Sequence, residues 1–199
     1  MSKLKEAIQT LALDLAVSSV LRSPVKNFPR LVNWFEKFDK QGDYAHIIRG
    51  VRPIASDPDN NWNQYVINLC NDIDHKELKA IVHNFAVNAS FKGKNRQEAC
   101  KNKFGCRIPW AILMDPTSAC NLHCIGCWAA EYGNKLNMSY DELDSIIKQG
   151  KALGTFFYIY SGGEPLMRKK DIIRLCEAHP DCQFLAFTNG TLIDEAFVE

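Results

Sequence analysis

The chain has 199 residues, of which 46% are hydrophobic, and its 24 basic and 23 acidic side chains leave a formal net charge of +1. This composition is typical of an ordinary globular protein that buries a core in one large or two small domains. The apolar stretch from Leu11 to Val17 is too short to span a bilayer and contains Asp14, which argues against a membrane span and a cleaved signal. Eight cysteines without a secretory signal also argue against a disulfide framework, so the expected compartment is the reducing cytoplasm.

Charge is distributed unevenly along the chain. Residues 1–109 contain 17 basic and 11 acidic side chains, whereas residues 110–199 contain 7 and 12. We therefore predict a domain boundary near Pro109, with a helical N-terminal region at 1–108 and a second domain at 109–199. A basic run precedes this boundary, and only Glu98 opposes it: Lys92, Lys94, Arg96, Lys101, Lys103 and Arg107. A solvated helix face is favoured over an anion or nucleic-acid site, so nucleic acid is not an expected partner.

The first hundred residues show helical periodicity. Apolar residues recur every three or four positions at Leu4, Ile8, Leu11 and Leu15, before Pro24 breaks the pattern. The same spacing predicts further helices at Phe28–Phe38, Trp62–Cys70 and His75–Ala89. These patterns predict an all-helical N-terminal region, and they indicate no function for it.

From Trp110 onward, strand patterns alternate with helix patterns. The expected strands are Trp110–Met114, Thr155–Tyr160 and Gln183–Phe187, which are short and rich in apolar, β-branched or aromatic residues. Ser139 and Glu142 form a capping box at the start of the first intervening helix, which Gly154 ends, and Asp171–Ala178 is the second. Such alternation predicts an α/β fold with a parallel sheet.

Three motifs directly follow the three predicted strands. The run C-x3-C-x2-C, formed by Cys120, Cys124 and Cys127, follows the first strand. Gly162-Gly163-Glu164 follows the second, and Thr188-Asn189-Gly190 follows the third. Because ligands bind beyond the carboxyl ends of parallel strands, we expect all three motifs to lie at one site.

The three clustered cysteines suit an iron–sulfur cluster. Thiolates are soft ligands, and a cubane cluster needs four of them, so one iron would remain open for chemistry. A zinc site would need a fourth ligand, for which only His123 lies close in sequence. A second cluster from Cys100 and Cys106 is a weaker alternative. The five cysteines outside the run are each expected to be a small buried or half-buried hydrophobe: Cys70, Cys100, Cys106, Cys176 and Cys182.

Together, the cysteine run and the Gly-Gly-Glu motif resemble the radical S-adenosylmethionine (SAM) superfamily, from about Pro109 to the end of the chain. The resemblance implies the start of a partial (β/α)6 barrel and a [4Fe–4S] cluster on Cys120, Cys124 and Cys127. It also implies that SAM chelates the open iron and is cleaved reductively to a 5′-deoxyadenosyl radical or its organometallic precursor. A low-potential electron donor such as flavodoxin or ferredoxin is the implied partner.

The resemblance also implies roles for other motif residues. Gly162 and Gly163 would let the backbone approach the methionine part of SAM, and Glu164 would accept a hydrogen bond from its amino group. Thr188 or Asn189 would contact the ribose or the SAM carboxylate, although an Asn-Gly turn alone also explains these two residues.

The chain departs from the family pattern just before its third cysteine. The family usually has an aromatic residue there, whereas this chain has Gly126, followed after the cysteine by Trp128. Backbone groups at Gly126 would still reach the adenine edge, and Trp128 is either a stacking partner or a core or lid residue. Asn121 and Leu122 do match the frequent Cys-Asn-Leu opening of the motif.

Only three of the six barrel strands are present, so we expect this sequence to be the leading part of a longer protein. The leading interpretation is a radical SAM enzyme, either an oxidoreductase or a transferase, acting on an unidentified substrate. The alternative is a non-enzymatic iron–sulfur electron carrier or redox sensor. Affinity for SAM distinguishes the two.

Overall fold

A computed structural model describes residues 3–39, 42, 44–133 and 135–198. The chain forms two compact units, Met1–His83 and Asn84–Glu199. Within the described residues, no helix is both long enough and apolar enough to cross a membrane.

The first unit is built from helices, as predicted. They are α1 (Lys3–Arg22), α2 (Pro24–Phe38), α3 (Ala45–Ser56), α4 (Asn61–Asp72) and α5 (His75–Val82). Pro24 separates α1 from α2 by occupying the first turn of α2, where its missing N–H costs no hydrogen bond. Val32, Ile48 and Ala55 form a small buried core between α2 and α3.

The second unit begins within a π-helical segment, His83–Lys92, which continues into α6 (Gly93–Phe104). The single helix predicted over His75–Ala89 is therefore wrong in its second half, where the backbone widens into π geometry. Asn88 explains part of this stretch, because it is buried and its Nδ2 donates to the carbonyl of Asp181, 3.0 Å away. A buried amide of this kind needs its partners, and one of them, Asp181, lies far away in sequence.

The rest of the second unit alternates strands and helices. It contains β1 (Ala111–Met114), α7 (Tyr140–Leu153), β2 (Phe157–Tyr160), α8 (Lys169–Ala178), β3 (Gln183–Ala186) and the short α9 (Glu195–Val198). The strands form one parallel sheet in the order β1-β2-β3. Met114 pairs with Tyr160, which pairs with Ala186, so all three strands end at the same level. The predicted α/β class with a parallel sheet is confirmed, and the larger partial barrel remains a prediction.

Helix α7 follows the sequence prediction closely. Ser139 Oγ accepts a hydrogen bond from Glu142 N at 3.2 Å, and Glu142 Oε2 accepts one from Ser139 N at 2.7 Å. The helix ends at Gly154, whose φ of 101° is left-handed. Its apolar face packs Leu143 and Ile147 into the core beneath the sheet.

Helix α6 packs against the end of α7. Gln97 Nε2 donates to the carbonyl of Gly154 at 2.8 Å, and Arg96 Nη1 donates to that of Lys151 at 2.7 Å. Residues 84–108 thus belong to the same compact unit as the sheet. The domain boundary near Pro109, which was predicted from charge and pattern, stays a prediction.

A buried histidine links α7 to the end of α8. His179 is 3% exposed, and its Nε2 lies 2.9 Å from Asp144 Oδ1, while Lys148 Nζ lies 2.6 Å from Asp144 Oδ2. The hydrogen bond from Lys148 is the main cause that lowers the pKa of Asp144; burial opposes it and the bond from His179 reinforces it. A carboxyl whose pKa is lowered by folding stabilises the protein above its unfolded pKa of about 3.9, and this contribution is lost as the pH falls further.

We therefore expect Asp144→Asn to lower the free energy of unfolding at pH 7 by on the order of 1 kcal/mol, since one charge-assisted bond to a buried group is lost. The variant should also lose stability less steeply than wild type below about pH 4. Urea unfolding across this pH range measures both effects. Glu177→Gln, which removes a charge at an exposed position of α8, is the control. Parallel pH profiles for Asp144→Asn and wild type would contradict the assignment.

Candidate functional site

The three motif loops lie at the carboxyl ends of β1, β2 and β3, as predicted. Because the three parallel strands are adjacent and end in register, the loops that follow them are neighbours. Hydrogen bonds connect each loop to the other two. We call this region the carboxyl edge.

The loop after β1 carries the three cysteines of the C-x3-C-x2-C run. Cys120 is half-buried, whereas Cys124 and Cys127 are exposed, and all three are free thiols. Cys127 N donates to Cys124 O at 3.2 Å, which closes a turn that contains Gly126 at a left-handed φ of 76°. The turn therefore needs glycine where the family usually has an aromatic residue.

The donor set fits an iron–sulfur cluster in its chemistry. Three thiols on one short loop can each supply a thiolate ligand, and Leu122 N donates to Cys120 Sγ at 3.4 Å. Throughout the part of the chain that the structure describes, no three His, Cys, Asp or Glu side chains are gathered in a metal-binding arrangement. The three sulfurs would therefore have to converge when a cluster is assembled.

The Gly-Gly-Glu loop packs directly on the start of the cysteine loop. Gly163 N donates to Thr117 O at 3.0 Å, and Glu164 N donates to Ala119 O at 2.8 Å. A Cβ on Gly163 would lie 2.5 Å from the carbonyl oxygen of Ser118 and would collide with that of Ala119. Gly163 was predicted to let the backbone approach SAM. The close contact of Gly163 with the protein's own backbone was not predicted.

Gly162 meets a similar constraint. Its φ is 103°, and a Cβ there would lie 2.6 Å from the carbonyl oxygen of Thr117. Both glycines are therefore required by packing within the protein, and their predicted contact with SAM stays a prediction.

Glu164 joins the loops after β2 and β3. Its side chain is buried, with 1% of the residue exposed. Oε1 accepts hydrogen bonds from Leu166 N at 2.9 Å and Thr188 Oγ1 at 2.7 Å, and Oε2 accepts one from Asn189 N at 2.8 Å. A carboxylate offers about four acceptor positions, so three protein donors leave about one for a ligand such as the SAM amino group.

The other predicted contacts of SAM are largely occupied by protein partners. Besides donating to Glu164, Thr188 Oγ1 accepts from Gly190 N at 3.0 Å. The side chain of Asn189 bonds to Asn121 and Thr191. A contact between SAM and either of these side chains remains a prediction, and it would require exchange of existing bonds.

Trp128 lies at the start of a 3-10 segment, Trp128–Tyr132, and 62% of the residue is exposed. Its ring meets that of Tyr132 edge to face, with centroids 5.8 Å apart. The indole is thus outside the core, and it is available for stacking on a ligand.

The segment from Leu136 to Met138 also supports the cysteine loop, and this contact was not predicted from the sequence. Ser118 N donates to Leu136 O at 2.8 Å, and Met138 N donates to Pro116 O at 3.1 Å. Arg168, just after the Gly-Gly-Glu motif, donates from Nη1 to the carbonyl of Met138 at 2.7 Å. The first two are backbone contacts and the third joins a side chain to the backbone; all three link distant segments, and no local pattern signals them.

Comparison with known proteins agrees with this geometry. Residues 114–199 match the family profile described as the Radical SAM superfamily, which covers the cysteine run, the Gly-Gly-Glu loop and the loop after β3. This part of the chain is therefore similar to the radical SAM superfamily. The matched residues include Cys120, Cys124 and Cys127 at the carboxyl edge, and their role as cluster ligands stays a prediction.

Several curated proteins resemble part of this chain. An uncharacterized protein of Archaeoglobus fulgidus is 36% identical over 107 residues, 52% of this chain and 25% of its own length. A probable GTP 3′,8-cyclase of Methanosarcina mazei is 29% identical over 121 residues, 57% of this chain and 35% of its own. An Fe-coproporphyrin III synthase of Methanosarcina barkeri is 35% identical over 89 residues, 42% and 22% respectively. The chain thus spans about a quarter to a third of the length of these relatives, and no solved structure matches it significantly.

Proposed function

We propose that this protein is a radical SAM enzyme that holds a [4Fe–4S] cluster through Cys120, Cys124 and Cys127 and cleaves SAM reductively to start radical chemistry. The observation that supports the proposal best is the placement of three free thiols on one loop whose backbone is bonded to the Gly-Gly-Glu loop. A cluster with three protein thiolates keeps one iron open for a small ligand.

When bound, the cluster and SAM supply the electron transfer and the bond cleavage, and the protein supplies binding and orientation. Glu164 would orient SAM with its remaining acceptor position, since its other positions are held by Leu166, Thr188 and Asn189. The exposed Trp128 and the backbone at Gly126 would contact the adenine. Gly162 and Gly163 would present backbone groups to the methionine part.

The substrate and the reaction subclass lie beyond what residues 114–199 specify. The similar proteins include a probable GTP 3′,8-cyclase and an Fe-coproporphyrin III synthase, whose names refer to chemically unrelated compounds. The shared region therefore serves the chemistry common to the superfamily. We propose a cytoplasmic enzyme that takes electrons from a flavodoxin or ferredoxin, with residues 1–108 as its helical N-terminal region.

SAM binding tests the proposal directly. After anaerobic reconstitution with iron and sulfide, we expect SAM to change the electron paramagnetic resonance spectrum of the reduced cluster, because SAM would coordinate the open iron. Titration of SAM followed by this spectrum, with S-adenosylhomocysteine for comparison, measures the effect. A stable cluster whose spectrum is insensitive to SAM would favour the electron carrier or redox sensor. Stoichiometric zinc in place of iron would contradict both the radical SAM enzyme and the iron–sulfur carrier or sensor.

A further inference from the structure

Three side chains at the carboxyl edge form a closed ring of hydrogen bonds. Asn189 Nδ2 donates to Asn121 Oδ1 at 2.9 Å, and Asn121 Nδ2 donates to Thr191 Oγ1 at 2.8 Å. Thr191 Oγ1 donates to Asn189 Oδ1 at 2.7 Å, which returns to the first residue. We call Asn121, Asn189 and Thr191 the hydrogen-bond ring.

Every group in the hydrogen-bond ring has a compatible role. An amide offers one donating nitrogen and one accepting oxygen, and a hydroxyl can donate and accept at once. All three bonds therefore run in the same direction around the ring. Reversing one amide alone would bring two donors or two acceptors together. Reversing both would turn the nitrogen of Asn189 toward Thr191 N, which donates to Asn189 Oδ1 at 3.0 Å, so these contacts together fix both amide orientations.

The hydrogen-bond ring connects the cysteine loop to a fixed point. Asn121 directly follows Cys120, whose sulfur accepts the hydrogen bond from Leu122 N. At the other side of the ring, Asn189 N donates to the buried carboxylate of Glu164 at 2.8 Å. The exposed cysteine loop is thus tied, through exposed side chains, to a buried charged group.

We propose that Asn121, Asn189 and Thr191 are positioning residues, which hold the first part of the cysteine loop so that Cys120 and its neighbours can take up the cluster. The part of this inference that concerns the cluster rests on the proposed function. In this role Asn189 acts on the cysteine loop, and its side chain needs no contact with SAM.

Charge-neutral variants of the ring test the inference. Thr191→Val keeps the side-chain shape but removes the hydroxyl, and Thr191→Ser keeps the hydroxyl. Asn121→Ala removes the two hydrogen bonds that the Asn121 side chain makes in the ring. We expect Thr191→Val and Asn121→Ala each to release iron to a ferrous chelator about three- to tenfold faster than wild type, as the loss of a weak hydrogen bond implies. Asn102→Ala, at an exposed position of α6, is the control for an asparagine outside the ring.

Three observations separate a positioning role of the ring from a general loss of protein stability. The double variant Asn121→Ala, Thr191→Val should release iron no faster than Asn121→Ala alone, because both changes open the same ring. Thr191→Ser should behave as wild type within about twofold. The spectrum of the reduced cluster should change in Thr191→Val even at temperatures well below its melting midpoint. Wild-type release rates and spectra in Thr191→Val and Asn121→Ala would overturn the inference.

A second readout needs no cluster. In the metal-free protein, amide hydrogen exchange of residues 119–127 should be faster in Thr191→Val and Asn121→Ala than in wild type, and unchanged in Thr191→Ser. If wild type takes up no cluster, the proposed function fails, yet this exchange pattern would still support the ring. If exchange of residues 119–127 is the same in all variants, the ring does not position the loop.

Discussion

Replacing Cys120, Cys124 and Cys127 together with alanine is expected to abolish cluster binding completely. The three thiols are the ligands of the proposed cluster, and alanine offers no donor atom in their place. The fold should persist, because two of the three side chains are exposed and contribute little to the core. Iron and acid-labile sulfide analysis after anaerobic reconstitution measures the loss, and thermal melting checks the fold.

The matched control for this variant is Cys106→Ala, since Cys106 is also an exposed free thiol but lies before β1. It should retain the full iron content of wild type. Unchanged iron in the triple variant would show that other residues hold the metal. Loss of iron in Cys106→Ala as well would revive the alternative of a second cluster that uses Cys100 and Cys106.

Glu164→Ala is expected to destabilise the protein and to weaken SAM binding at the same time. Removing the carboxylate leaves three donors near the core without their acceptor, and each buried unsatisfied group costs about 1–3 kcal/mol. We expect a loss of about 3 kcal/mol or more in the free energy of unfolding. The lost charge-assisted bond to the SAM ammonium would lower affinity by about ten- to a hundredfold.

Glu164→Gln separates the two effects. Its amide oxygen can still accept from Leu166 N and Thr188 Oγ1, but its nitrogen would face the N–H of Asn189, so its stability should lie between wild type and Glu164→Ala. Glu177→Ala, at an exposed position, is the control. Urea unfolding and calorimetric titration of SAM give the two quantities. A Glu164→Ala protein as stable as wild type would show that the three hydrogen bonds contribute nothing measurable.

Elements with strong local signals were predicted well from the sequence. The strand predicted at Gln183–Phe187 is observed at Gln183–Ala186, and the capping box of Ser139 and Glu142 is present. These features depend on residues close together in the chain. The position of the three motif loops at one edge of the sheet was also predicted correctly, because it depends only on the order of strands and helices in a parallel sheet.

Features that depend on distant contacts were not predicted. The π-helical segment is bonded to the turn before β3 through Asn88, and nothing near Asn88 in sequence indicates this. Helix α3 lies in the region predicted to be helical, but it was not predicted as a separate element. Glu164 was expected to bind only a ligand, since its three protein donors lie in other loops or two residues on.

The tight packing of Gly163 affects how far its motif can be trusted in sequence searches. The space that this glycine leaves open is filled by carbonyl groups of Ser118 and Ala119, which belong to the polypeptide itself. A descendant that had lost its cysteines would still need glycine here to keep this loop packed. Gly-Gly-Glu alone therefore identifies a backbone geometry, and a search that infers catalytic competence from it would also collect inactive chains. The cysteine run carries the information about the cofactor.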